Sequence, residues 1–250
     1  MGRCDRGMSA LRKFAKRLLR GAGYKIERIS PVTNLLEHKR WLLAREAIDL
    51  VIDVGANTGQ FASELRNELG FRGQIISFEP LRSAFTVLSS RARGDDRWKV
   101  VNCALGEKSG SLEINVSANS YSSSLLDMLP AHVDSAPDSN YIATETVEIR
   151  TLDEAMPELR KSPRKIFMKI DTQGYESQVL RGARASLPRI DTIQLELSLV
   201  PLYAGQALFS DIHQQMCDQG YSLVVIEPMF RDPRTKRLLQ MDGIYHRFGD

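Results

Sequence analysis

The run Leu50-Val51-Ile52-Asp53-Val54-Gly55-Ala56-Asn57-Thr58-Gly59-Gln60-Phe61 constrains this chain more than any other stretch. Apolar residues flank a single Asp, a turn of small residues follows, and a helical pattern then runs from Gln60 to Leu69. Strand, tight loop and helix in that order open a nucleotide-cofactor fold of the α/β class. Glycine lets such a loop turn sharply and approach a ligand closely. A dinucleotide fingerprint needs Gly at 55, 57 and 60, and this chain has Gly55, Asn57 and Gln60. Sites for S-adenosylmethionine favour an acid two residues before the first Gly, a pattern that Asp53, Gly55 and Gly59 meet with Asn57 between them. That cofactor carries a sulfonium and an α-amino group but no pyrophosphate, so an Asp at the strand end suits it electrostatically. The plain alternative is a strand-turn-helix corner with no ligand.

Further acids repeat the pattern. Gln74-Ile75-Ile76-Ser77-Phe78-Glu79 reads as a second strand ending in an acid. A carboxylate there spans a vicinal diol, so Glu79 is expected to hold both ribose hydroxyls. Trp98–Gly106 reads as a third strand opening into a loop, with Cys103 and Ala104 beside the adenine. Lys165–Ile170 is a buried-type strand that delivers Asp171 to the same edge, and Thr192–Ser198 brings Glu196 near it. So many acids on one edge are costly unless a cation or a diol occupies the space. Lys169, alternating away from Ile170, offsets part of that charge.

Composition excludes several classes. A net charge of +3 is too mild for nucleic-acid binding. Cys4, Cys103 and Cys217 are far apart and form no Cys-x-x-Cys pair, so neither a zinc site nor a disulfide framework is expected, and a reducing cytoplasm is. Residues 1–30 hold nine Lys or Arg against two acids. Leu11, Phe14, Ala15, Leu18 and Leu19 recur there at helical spacing, which predicts a basic amphipathic extension. It either packs with its charges outward or touches the inner face of a membrane peripherally. Ser30-Pro31 reads as an N-cap with Pro at the first helical position. Residues 31–250 are expected to form one domain, with an inserted hairpin and lid at about 111–150. Within it, 117–144 is rich in Ser, Asn, Asp and Pro and reads as a long loop, where Ser123, Ser124 and His132 are candidates for the acceptor.

Taken together, Ile52–Gly59, Phe78-Glu79-Pro80, Asn102–Gly106, Thr151-Leu152-Asp153 and above all Lys169-Ile170-Asp171-x-Gln173-Gly174-x-Glu176 with Val179-Leu180-x-Gly182 are specific. They resemble FkbM-type methyltransferases over about Leu35–Arg247. The resemblance implies a Rossmann-like class I fold: a seven-stranded, mostly parallel sheet with helices on both faces and one antiparallel strand. It implies S-adenosylmethionine as methyl donor and a hydroxyl of a sugar, glycolipid or secondary metabolite as acceptor. Asp171 becomes the first candidate at the reacting centre, or for the cofactor's amino group, and Glu196 the second. His246 and His132 are more distant candidates, and the use of Mg²⁺ is left open. The competing readings are a nicotinamide-dependent oxidoreductase, which Asn57 and Gln60 disfavour, and a cofactor-binding protein without activity.

Overall fold

The computed structural model describes residues 14–24, 29–156 and 165–249. It comprises two compact units, Met1–Leu42 and Leu43–Asp250. In the first, residues 14–21 are helical (α1), with Phe14, Leu18, Lys16, Arg17 and Arg20 all exposed. Leu11, Arg12 and Lys13 of the expected amphipathic pattern lie outside the described residues. Helix α2 (Leu35–Arg45) starts later than the sequence suggested. Ser30-Pro31 opens a turn in which the Ser30 carbonyl accepts from the Thr33 and Asn34 amides. Asn34 is the residue that caps, its Oδ1 taking the Glu37 amide at 3.0 Å. No helix among the described residues is long and apolar enough to cross a membrane.

The second unit is built on two sheets. In chain order its strands are β1 (Leu50–Val54), β2 (Gln74–Phe78), β3 (Trp98–Val101), β4 (Ala104–Leu105), β5 (Gly110–Ser117), β6 (Tyr141–Arg150), β7 (Ile166–Ile170), β8 (Thr192–Ser198), β9 (Ser222–Pro228) and β10 (Gln240–His246). Its helices are α3 (Gln60–Asn67), α4 (Arg82–Ala92), α5 (Pro130–Ser135), α6 (Leu152–Ala155), α7 (Glu176–Arg181) and α8 (Phe209–Asp218). The large sheet has seven strands in the order β3-β2-β1-β7-β8-β10-β9. Neighbouring pairs from β3 to β8 are parallel, and β10 runs antiparallel to both β8 and β9. Every residue of β1 is buried, and β7 and β8 are nearly so, as strands covered on both faces must be. Leu50, Ile52, Met168, Ile193 and Leu195 form the centre of the core.

The strand order reverses between β1 and β7. Crossovers leave in opposite directions there, which opens a crevice at the carboxyl ends of the two strands. The small sheet, β4-β6-β5, stands beside that edge. The stretch expected to be one third strand is therefore divided: Trp98–Val101 joins the large sheet, while Ala104–Leu105 pairs in parallel with Ile149–Arg150 of β6. β5 and β6 pair as an antiparallel hairpin. Nor is the connection between these strands structureless. It contains α5 and a 3₁₀ turn at Pro137–Ser139, and isolated bridges tie Ser124 to Asn115 and Met128 to Tyr203. Thr151-Leu152-Asp153 is structural: Thr151 and Glu154 form a capping box for α6, and Asp153 accepts from the Ala185 and Ser186 amides.

Candidate active site

Loop geometry follows from the residues of the first motif. Gly55 has φ 78°, and a Cβ there would lie 1.9 Å from the Asp171 carbonyl oxygen. Only glycine permits both the backbone conformation and the approach of the two strand ends. Asn57 is left-handed as well, at φ 47°. Its amide is thereby turned toward Glu79, donating to Oε2 at 2.7 Å, while the Leu81 amide donates to Oε1 at 2.9 Å. A carboxylate offers about four lone-pair sites, so each Glu79 oxygen retains acceptor capacity. Burial pushes the Glu79 carboxyl up to about 7 against the pull of these two amides.

Asp53 lies beneath the loop. It is fully buried, accepts from Ser77 Oγ at 3.1 Å, and stands level with Lys169 in the β1–β7 register. Its Oδ1 has no partner, and burial raises its carboxyl to about 6 despite the nearby ammonium. The sequence placed Asp53 against the cofactor's cationic end, but the structure keeps it out of the cavity wall. Gly59 is also set back, at φ 90° with Leu88 and Trp98 packed where a side chain would go.

Asp171 follows β7 directly. Lys169 Nζ reaches its Oδ2 at 2.8 Å, and Gln173 Nε2 donates to its Oδ1 at 2.9 Å. Burial alone would raise this carboxyl, but the ammonium and the amide together hold it below the ordinary carboxylate range. For Lys169, burial opposes the charge, and Asp171 and Asp53 more than compensate, so its ammonium is held firmly. Glu196, from β8, accepts at Oε2 from Gln173 Nε2 and Gln240 Nε2, both at 3.0 Å. Burial first, then Asp171, Glu176 and Asp242, push the Glu196 carboxyl well above its usual range. Glu176 organises the turn between them, its Oε1 accepting from the Thr172 and Gly174 amides and from Thr172 Oγ1.

These groups meet at one cavity of about 260 Å³ over the carboxyl edge. Gly55, Asn57, Glu79, Ala104, Asp171 and Glu196 all line it. Phe78, Leu81, Leu105 and Ile114 supply an apolar wall. Ser123 lines it too, but Ser124 does not: its Oγ donates to the Gln173 carbonyl at 2.7 Å. Cys103 is buried in the core. His246 sits at the far end of β8, with Nδ1 2.9 Å from Thr192 Oγ1.

His132, expected near the acceptor, is instead a packing residue. Its ring meets Tyr203 edge-on at 5.1 Å and Phe230 at 5.4 Å, and burial lowers its pKa from 6.5 to about 4. The folded state therefore resists a proton that the unfolded chain accepts. Stability from this site is lost as pH falls from 6.5 toward about 4. His132→Phe should flatten that part of the melting-temperature profile relative to wild type; parallel profiles would refute it.

Sequence reasoning passed over Gln173, Thr172 and Tyr175, which also line the cavity. Gln173 stood inside the motif that carried the resemblance, but nothing in its spacing indicated that it bridges two acids. Among the described residues, no group of three or more His, Cys, Asp and Glu side chains is disposed to hold a metal ion.

A seven-stranded sheet in this order with one reversed strand, and a cavity over its carboxyl edge, is the arrangement of the class I methyltransferase fold. The chain belongs to the family of the methyltransferase FkbM domain, whose model matches residues 53–223. It is 26% identical over 184 residues to 2-O-methyltransferase NoeI of Sinorhizobium fredii, covering 70% of this chain and 74% of that protein. Among solved structures, methyltransferase FkbM from Methylobacillus flagellatus aligns with a TM-score of 0.45 and 14% identity over 87% of this chain. This chain spans 45% of that protein's length. Magnesium protoporphyrin IX methyltransferase from Synechocystis aligns with a TM-score of 0.47 and 9% identity, over 94% of this chain and 96% of that one. S-adenosylmethionine is the cofactor of this class, and the residues fit it. Glu79 offers paired oxygens for a diol, the apolar wall suits a flat base, and Asp171 supplies an anion for a cationic end.

Proposed function

We propose that this protein methylates a hydroxyl group of a sugar, glycolipid or secondary metabolite. The observation that carries the reading is the meeting of Glu79, Asp171 and Glu196 in one cavity, with the two strand-end acids biased in opposite directions. When bound, the cofactor supplies a methyl group made electrophilic by its sulfonium. The chain's own residues must hold it, align an acceptor oxygen behind the methyl, and take a proton from that oxygen. Glu79 holds the ribose. Asp171, kept anionic by Lys169, attracts the amino-acid end. Glu196, with the higher proton affinity, accepts the proton of the acceptor hydroxyl through Oε1. Environments that split two carboxyl groups in this way divide roles between them. Ser123 and the residues around it close one side of the acceptor space. The 2-O-methyltransferase relative supports oxygen as the methylated atom.

The direct test is labelled methyl transfer into carbohydrate and lipid extracts, followed by mass analysis of the products. Incorporation into a hydroxyl supports the reading. Transfer to nitrogen or carbon, or none to any extract, refutes it. A second measurement addresses the cofactor. Glu79→Ala should weaken S-adenosylhomocysteine binding more than tenfold, since each charge-assisted hydrogen bond contributes roughly 1.5–3 kcal/mol. Calorimetry with unchanged affinity would remove Glu79 from the ribose.

A further inference from the structure

The two acids at the cavity are joined by one amide. Gln173 Nε2 carries two hydrogens, and its acceptors are Asp171 Oδ1 at 2.9 Å and Glu196 Oε2 at 3.0 Å. Its Oε1 accepts from Tyr203 Oη at 2.8 Å. Tyr203 is fully buried, and the α-carbon side of Gly174 packs on its ring, where a Cβ would lie 3.0 Å away. An ionised carboxylate only accepts, so the two acids set the NH₂ end toward themselves, and the Tyr203 hydroxyl donates to the carbonyl that points away. The backbone of this turn is held as well. Gln173 is in the left-handed region at φ 54°, followed by Gly174 at φ 95°. A residue with a β-carbon is strained in that region, and surrounding contacts must hold it there. Here Ser124 Oγ holds the Gln173 carbonyl at 2.7 Å, and Glu176 holds the amides on either side of it.

We infer that Gln173 is a positioning residue: its amide, anchored through its carbonyl by Tyr203, holds Asp171 and Glu196 side by side so that Glu196 presents one oxygen to the acceptor hydroxyl. The inference rests on the proposed role of Glu196, but it has a consequence that does not require turnover. An amide donor stabilises the ionised form of each acid without adding charge. The charged and titratable groups around Glu196 are Asp171 and Lys169 on the β7 side, Glu176 on α7, Asp242 on β10, and Tyr203. Of these only Lys169 is cationic, and it is engaged by Asp171. Lys169 still pulls the Glu196 carboxyl down electrostatically, and the Gln173 and Gln240 amides add hydrogen bonds to its anion.

Two substitutions test this in the full chain. Gln173→Leu keeps approximate size and removes both donors. Tyr203→Phe keeps the ring and removes the hydroxyl that anchors the amide's carbonyl. The titration of Glu196 is read by carbon-13 NMR of labelled glutamate carboxyls, assigned with Glu196→Gln. Gln173→Leu should raise the Glu196 midpoint by about one pH unit or more, because the anion loses a donor. Tyr203→Phe should raise it by less, in the same direction. Where an acceptor is known, the acidic limb of the kcat/KM profile should move with it, and kcat should fall by on the order of 10²-fold, as for a small misplacement of reacting groups. Glu196 titrations in both variants that overlay wild type would overturn the inference. If Gln173→Leu does not fold, Tyr203→Phe decides alone. A shifted midpoint in a protein that methylates nothing would sink the functional reading and leave the positioning role standing.

Discussion

Glu196→Gln is expected to lower kcat by on the order of 10²–10⁴ while barely changing affinity for S-adenosylhomocysteine. The substitution preserves shape and the hydrogen-bonding reach of the side chain. It removes the anion whose proton affinity burial and the neighbouring acids have raised. The pH dependence has a definite sign. Glu196 must be ionised to accept a proton, so kcat/KM should rise with pH through its elevated midpoint and level off above it. In Glu196→Gln that limb should vanish with the activity. Asp171→Asn should behave differently. Asp171 is held anionic by a 2.8 Å contact with Lys169. Its neutralisation leaves a buried ammonium without its nearest partner as well as depriving the cofactor of an anion. Both binding and turnover should fall. Initial rates and calorimetric titrations on each variant separate the two patterns. Near-normal turnover in Glu196→Gln would exclude Glu196 as the base.

Gly55→Ala should destabilise the protein by roughly 2–5 kcal/mol, combining a left-handed backbone cost of about 1–2 kcal/mol with overpacking of about 1–3 kcal/mol. The added carbon would lie 1.9 Å from the Asp171 carbonyl oxygen, which is backbone and cannot swing aside. The ends of β1 and β7 would have to separate, and with them Asn57 and Asp171. Cofactor affinity should therefore fall along with stability. Gly70→Ala is the matched control. Gly70 has a similar φ of 68°, but a Cβ there meets nothing within 4 Å. It should lose only the backbone contribution and bind cofactor normally. Denaturant unfolding of both variants measures the difference. Equal losses in the two would mean that the close approach at Gly55 carries no energy.

Much of this protein is legible along the chain because its signals are local. The buried strands Leu50–Val54 and Ile166–Ile170 are apolar runs ended by an acid or a glycine turn, and both were assignable from that pattern. Gly182 stands in the family motif, and the fold shows why glycine is needed there. Its φ is −80°, and what excludes a side chain is the Gly106 carbonyl oxygen, 1.8 Å from where a Cβ would lie. That contact joins residues 76 positions apart in the sequence and leaves no periodicity to read. The N-cap falls at Asn34 and not at Ser30, because Ser-Pro also begins turns and a cap is settled by which amide points at which oxygen.

The sequence by itself determined the glycine loop, the order of the parallel strands' edge acids, and the family motif that places Asp171 after a buried strand. These depend on neighbours in the chain: period-two burial, φ freedom and spacing. The tertiary structure decided which of those acids share a cavity. Asp53 was sent beneath the loop to Ser77 and Lys169, His132 into an aromatic cluster, and Ser124 onto a backbone carbonyl. It also decided that Glu196, 25 residues beyond Asp171, shares a single amide with it. A proton affinity depends on desolvation and on charges within a few ångströms. Those distances are set by how β7 lies against β8, so the division of roles between the two carboxylates is a property of the folded sheet and not of either motif.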